Sequence, residues 1–198
     1  GILPKDQIIP GEKLEMGSSV KVYVSKLEIG PKGPFIMLSR SHYGFVKRLL
    51  EIEIPELSDG TIMLYSVARD AGSRSKIAVY TEYTNVDPIG AVIGEKARRI
   101  ANVLKELSGE KIDVILYDKD PVKFIANALS PAKDVKVSIK DETKKEALAL
   151  VNDKNLSLAI GKKGQNVKLA SRLTHYKIEV KPEEQENTET TEETSVEE

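Results

Sequence analysis

The sequence predicts an α+β protein made of two copies of one small unit, α-β-β-α-α-β, behind a short run of β-strands. Three observations predict it. The order of helical and extended stretches recurs once along the chain. Two blocks also align directly: Ile93-Gly94-Glu95-Lys96-Ala97 falls on Ile160-Gly161-Lys162-Lys163-Gly164, with Ile100 and Val103 opposite Val167 and Ala170. After a one-residue gap, Lys111-Ile112-Asp113-Val114 falls on Lys177-Ile178-Glu179-Val180. Finally, 40% of the 198 residues are hydrophobic, yet there are only 3 Phe and no Trp, which suits small aliphatic cores better than one bulky sandwich.

The first residues, Gly1-Ile2-Leu3-Pro4, resemble the end of a strand, so the chain is expected to be a piece of a longer one. Between residues 19 and 24, Val20, Val22 and Val24 alternate with Lys21 and Tyr23, as in a half-buried strand. A Gly30-Pro31-Lys32-Gly33-Pro34 turn leads into a second strand at residues 35–39. A helix is predicted over residues 45–50, stopped near Pro55. Strands at 61–69 and 76–81 flank the turn Asp70-Ala71-Gly72-Ser73. A helical stretch over about 92–107 carries Ile93, Ile100, Val103, Leu104 and Leu107 on one side, ends at Ser108-Gly109 and leads to a strand at 111–116. The second copy reads as a helix at 122–129 ended before Pro131, strands at 135–139 and 147–151, a glycine-interrupted helix at 156–173 and a strand at 177–180.

Charge is unevenly distributed. The net charge is −1, but the last seventeen residues, from Pro182, hold eight Glu and no Lys or Arg; the remainder has 30 basic against 23 acidic residues, a net of +7. That tail lacks large apolar residues and is expected to be disordered. With no cysteine, disulfides and thiolate metal sites are excluded, and no carboxylates cluster at ligand spacing with His42 or His175. Both histidines read as structural or exposed. No stretch is long and apolar enough for a membrane span, there is no signal peptide, and a cytoplasmic protein without cofactor is expected.

The basic body points to nucleic acid, and Gly161-Lys162-Lys163-Gly164 gives the pointer a mechanism. A phosphodiester must come close to the backbone, where a Cβ would obstruct it. The helix predicted to start near Gln165 aims free N–H groups and its positive dipole end at the anion, while Lys162 and Lys163 add cations. Such a loop in KH domains clamps about four nucleotides of single strand. A bare Gly-x-x-Gly also fits a plain helix-helix turn. Here the two lysines, the preceding Leu158-Ala159-Ile160, the amphipathic helix after it and the upstream duplicate favour the phosphate reading. The predicted RNA-binding set is Ile160, Gly161, Lys162, Lys163, Gly164, Gln165, Asn166 and Lys168, with Ile160 and Val167 as a floor under the bases. In the first copy the set is Gly94, Lys96, Arg98 and Arg99, although Glu95 repels phosphate and Ala97 replaces the second glycine. Arg69, Arg74 and Lys76 read as a solvated turn ahead of phosphate contacts, and Tyr176 as a core or strand-edge residue ahead of base stacking.

In these features the chain resembles the RNA-binding region of the NusA family of bacterial transcription termination/antitermination factors. The resemblance covers about residues 1–181. It rests on Gly1-Ile2-Leu3-Pro4-Lys5, Ile9-Pro10-Gly11-Glu12, Leu38-Ser39-Arg40-Ser41-His42, Asn85-Val86-Asp87-Pro88 and Gly109-Glu110-Lys111-Ile112-Asp113-Val114. Its most specific stretches are Phe124-Ile125-Ala126-Asn127-Ala128-Leu129-Ser130-Pro131-Ala132 and Leu156-Ser157-Leu158-Ala159-Ile160-Gly161-Lys162-Lys163-Gly164-Gln165-Asn166. It implies two tandem prokaryotic-type (type II) KH domains, at 42–117 and 118–181, behind a partial S1-type OB barrel at 1–41, with the acidic tail at 182–198. It further implies a non-enzymatic protein that holds single-stranded nascent RNA and modulates pausing, termination and antitermination. RNA polymerase would be met through regions outside this chain, and other antitermination factors are possible partners. The joint at Ser130-Pro131-Ala132-Lys133 lacks a flexible spacer, so the modules should form one continuous surface. The enzyme alternative, a fragment of an RNA-processing exonuclease of the polynucleotide phosphorylase kind, places KH before S1, the reverse of the order here. A pair of KH modules that binds only protein is the third reading.

Overall fold

A computed structural model describes residues 1–31 and 33–183. The chain opens with a 3₁₀ turn, Lys5–Gln7, followed by an antiparallel hairpin of β1 (Tyr23–Gly30) and β2 (Gly33–Ser39). Ile2 extends this hairpin: its N–H donates to Ile36 O, and its carbonyl accepts from Leu38 N–H. The strand predicted at 19–24 begins only at Tyr23. The segment before it is drawn away, because the Arg40 guanidinium holds the carbonyl of Lys21. Arg40 is 3% exposed and also donates to Glu12 (2.5 Å from Nη2, 2.8 Å from Nε) and to Glu106 O. Burial disfavours the Glu12 carboxylate, but the Arg40 and Ser108 donors outweigh it and lower its pKa. Ile9 is buried in one core cluster with Phe45, Leu49 and Val103, so the opening segment is tied to the first helical module, while Leu27 and Ile29 on the hairpin stay exposed.

The first module comprises α1 (Tyr43–Glu53), α2 (Pro55–Ser58), β3 (Met63–Asp70), β4 (Arg74–Tyr80), α3 (Pro88–Ile93), α4 (Arg98–Glu106) and β5 (Lys111–Leu116). The second comprises α5 (Pro121–Ala128), β6 (Lys136–Asp141), β7 (Glu146–Val151), α6 (Asp153–Ile160), α7 (Gln165–Thr174) and β8 (Lys177–Pro182). Apart from the short α2, the two orders are identical, as the repeat predicted. Each module has a three-stranded sheet, antiparallel for its first pair and parallel for its second, ordered β3-β4-β5 and β6-β7-β8. Helix starts follow local chemistry. The side chains of Asp87 and Asp120 accept from N–H groups two residues on, each with a proline at the first helical position, and Asn152 caps α6. The helical stretches predicted at 92–107 and 156–173 are each broken in two, because Gly94 and Gly161 take φ values of 73° and 75°.

The modules do not merely touch. Ala68, Ala78 and Ile115 from the first sheet share one buried cluster with Phe124, Ile125, Leu169 and Leu173 of the second module. Tyr65 and Tyr117 stack at 3.8 Å over this junction, and Phe124 meets both rings edge-on. Polar links cross as well: Asn127 Nδ2 donates to Leu116 O, and Gln165 Nε2 donates to Asp70 (2.5 Å) and Ser73 (2.7 Å). At the far end, β8 extends through Pro182, the first residue of the predicted tail, and Glu183 N–H donates to Val151 O. The rest of that tail, 184–198, lies outside the described residues. No described helix is long and apolar enough to cross a membrane.

Candidate nucleic-acid interface

Two loops sit at matching places in the two modules, between α3 and α4 and between α6 and α7. Their backbones agree closely. Gly94 and Gly161 have ψ of 171° and 170°, and Lys96 and Lys163 have φ/ψ of 51°/32° and 54°/27°. Ala97 and Gly164 come next at 57°/24° and 73°/15°, both left-handed. The first copy therefore keeps the loop shape despite losing its second glycine, with Ala97 carrying the strain that a Cβ suffers in this region. A Cβ on Gly164 would find only Lys168 Cε, at 3.8 Å, so the space over that glycine is open to an approaching ligand.

Neither α4 nor α7 has a side-chain cap on its N-terminus. The first-turn N–H groups of α7 therefore face the loop without a side-chain acceptor, an arrangement suited to an anion. Lys162, Lys163 and Lys168 are exposed around it, and Lys96 and Arg98 around the first loop. Among the described residues, none of these five forms a salt bridge.

Three residues of the predicted set are engaged with other parts of the protein. Arg99 donates to both oxygens of Glu56 (2.8 and 2.9 Å) and to Ala91 O, so its charge is already matched. Asn166 is 5% exposed, and its Nδ2 donates to the carbonyls of Leu129, Leu158 and Ala159. Gln165 spans to the β3–β4 turn. Ile160 is half-buried beside the loop, while Val167 packs onto the shared core.

Beside the first loop, Ile93, Ile100, Leu104, Ile112 and Val114 line an apolar groove of about 340 Å³. Val114, Ile115 and Ser130 line both this groove and a cleft of about 730 Å³ bounded by Ile89 and Leu116 on one module and Asn127, Lys133 and Val135 on the other. This junction cleft is not legible in the sequence, since its two walls belong to different modules.

The cations at the first hairpin are not a solvated turn. Arg69 is fixed on Glu110 at 2.9 Å with both side chains buried. Lys76, fully buried, donates to Asp113 (3.0 Å) and to Ser130 O (2.8 Å), and Arg74 also pairs with Asp113. Burial alone would raise the Asp113 pKa, but Arg74 and Lys76 outweigh it and hold the carboxyl below its usual range. Burial lowers that of Lys76 in spite of Asp113. The sequence does carry a signal for this pairing: Lys76 opens the apolar run Ile77-Ala78-Val79-Tyr80, where a charge must find a partner. His42 caps α1 through Nδ1 and stacks on Tyr23, and Tyr176 packs at the second core with Lys145 over its ring.

Comparison with known proteins agrees with this geometry. A sequence model of the NusA-like first KH domain matches residues 40–117, and one of the NusA-like second KH domain matches residues 121–188. The transcription termination/antitermination protein NusA of Halalkalibacterium halodurans is 50% identical over 182 residues, 92% of this chain and 47% of that protein. The protein of the same name from Thermus thermophilus is 47% identical over 176 residues, 89% and 45% of the two. The chain thus spans about half the length of the curated relatives it matches. The crystal structure of APE1850 has the same fold at 22% identity, with a TM-score of 0.50 over 69% of this chain and 96% of that one. With its two modules matched in order and a related sequence running through both, the chain belongs to the NusA family, of which it carries the tandem KH pair.

Proposed function

We infer that this chain is a single-stranded RNA holder. The loop at residues 161–164 grips the phosphodiester backbone, and the groove of the first module and the cleft between the modules take other bases of the strand. The observation that carries this reading is the loop itself: an open left-handed backbone, an uncapped ten-residue helix behind it and three exposed lysines without a carboxylate partner among the described residues. Gly161, Lys162, Lys163, Gly164 and Lys168 form the main clamp. Gly94, Lys96 and Arg98 form a weaker one, because Glu95 lies within it. The opening segment, residues 1–41 with the hairpin at 23–39, belongs to an S1-type barrel. In the whole protein the RNA is nascent transcript, and holding it changes pausing, termination and antitermination. Polymerase is met through other regions, and other antitermination factors are further partners. No catalytic group or cofactor belongs to this reading.

The test is fluorescence anisotropy with a short purine-rich RNA across a range of salt. Lys162→Ala with Lys163→Ala should weaken binding for every RNA sequence and flatten the salt slope, since about 0.7 counterion is released per phosphate neutralised on a single strand. Labelled RNA with Mg²⁺ and phosphate should release no nucleotides. If the unaltered chain fails to bind RNA at low salt, the reading is wrong and a protein-binding pair replaces it.

A further inference from the structure

The first glycine of each loop lies under a side chain five residues on. A Cβ at Gly161 would come within 2.7 Å of Asn166 Cβ and 2.8 Å of its backbone nitrogen, and one at Gly94 within 2.7 Å of Arg99 Cγ. Each of these side chains donates to a carbonyl three residues before the glycine: Arg99 to Ala91 O at 2.9 Å, and Asn166 to Leu158 O at 3.1 Å. Asn166 Nδ2 reaches further, to Ala159 O at 3.0 Å and Leu129 O at 3.1 Å. One amide group thus joins the end of α6, the end of α5 and the first turn of α7.

Its other half is unused: Asn166 Oδ1 is buried and has no partner among the described residues. Turning the amide over would set that oxygen against three carbonyls, so the orientation is fixed. A buried acceptor without a donor weakens a fold, and an apolar side chain of the same size avoids the loss. The presence of Asn here is explained by what its donors hold in place.

We propose that Asn166 is the positioning residue of the second clamp, setting the open shape of the 161–164 loop, and that Arg99 has the same role in the first. The proposal rests on the RNA reading above. Arg99 accordingly serves the loop and not the phosphate, with Glu56 neutralising its charge. The two modules reach one geometry with different donors, a small amide inside the core and a guanidinium at its rim.

The experiment uses the full chain, a short purine-rich RNA and four variants: Asn166→Ala, Asn166→Leu, which fills the space without donors, Gly164→Asp, and Asn166→Ala with Gly164→Asp. The Asn166 variants should remain folded by circular dichroism and bind about tenfold more weakly, with faster amide exchange confined to residues 161–165. In the Gly164→Asp background, Asn166→Ala should cost less than twofold more, because both act through one loop. Binding within twofold of the unaltered chain overturns the proposal, and so does a loss that adds in full to that of Gly164→Asp. If neither Asn166 variant folds, Asn166 is a core residue and the proposal falls. Absence of binding by the unaltered chain sinks the RNA reading itself, so the two failures are distinguishable.

Discussion

Gly161 and Gly164 are alike in sequence and differ in what requires them. Gly161 has no room for a Cβ, because Asn166 lies against it, whereas Gly164 has room and only an unfavourable φ. Gly164→Ala should therefore cost about 1 kcal/mol of stability through backbone strain alone. Gly164→Asp adds bulk and negative charge where phosphate sits and should weaken RNA binding by roughly 1.5–3 kcal/mol, about ten- to hundredfold. Ala97→Asp should cost less, since Glu95 already spoils the first loop. Anisotropy on folded protein decides, and a larger loss at Ala97 would move the main clamp to the first module. Asp113 offers a second residue-scale test. Its pKa is lowered on folding, so its stabilising effect is complete above the unfolded value of about 3.9 and is lost as pH falls through the lower folded value. Thermal unfolding should show the gap between the unaltered chain and Asp113→Asn narrowing as pH falls below about 4.

At the scale of elements, the loop pair shows what periodicity can and cannot reveal. The apolar positions of α4 and α7 and all eight strands but the first lie close to where the pattern places them, because burial on one face leaves a readable pattern. The breaks at Gly94 and Gly161 are harder to read, since a single glycine within a helical pattern is compatible with a continuous helix. Alignment of the two copies supplies the loop. Asn166, which is buried, and Arg99, which pairs with Glu56 at the rim, read as RNA contacts in the sequence because polar residues beside a motif pass for free and exposed ones. The first copy leaves one further consequence: Ala97 is held at φ 57°. Ala97→Gly should stabilise the protein by about 1 kcal/mol, the cost of a left-handed Cβ, as measured by urea unfolding. An unchanged or lower midpoint would mean that the greater freedom of glycine in the unfolded chain offsets the relief of strain.

For the whole molecule, the shared cluster under Phe124 makes the two modules one folding unit. Phe124→Ala should cost about 3–5 kcal/mol, and signals from both modules should move together in a single transition. Two separate transitions would contradict the shared core. The acidic segment gives a different whole-chain test. Removing residues 184–198 takes away seven Glu from a chain whose remainder is basic. RNA binding should tighten at low ionic strength and the gain should fade as salt rises, whereas equal affinity at low salt would make the segment a passive extension. The duplication is legible in the sequence, but its closure is not, because Ala68, Ala78 and Ile115 carry no mark that distinguishes an inter-module contact from an ordinary strand interior.

The buried Lys76 also limits how this protein can be divided. Its ammonium group lies in the first module, but one of its two acceptors, Ser130 O, belongs to the joint with the second. A cut placed at residues 118–120, where sequence repeats suggest a clean border, would remove that acceptor and uncover the small apolar side chains around it. Recombination that exchanged the second half, from the joint onward, for a foreign KH domain would inherit the same defect. Although the chain arose as a repeat, its halves are no longer interchangeable parts, and the pair must be inherited, transplanted or engineered as a single piece.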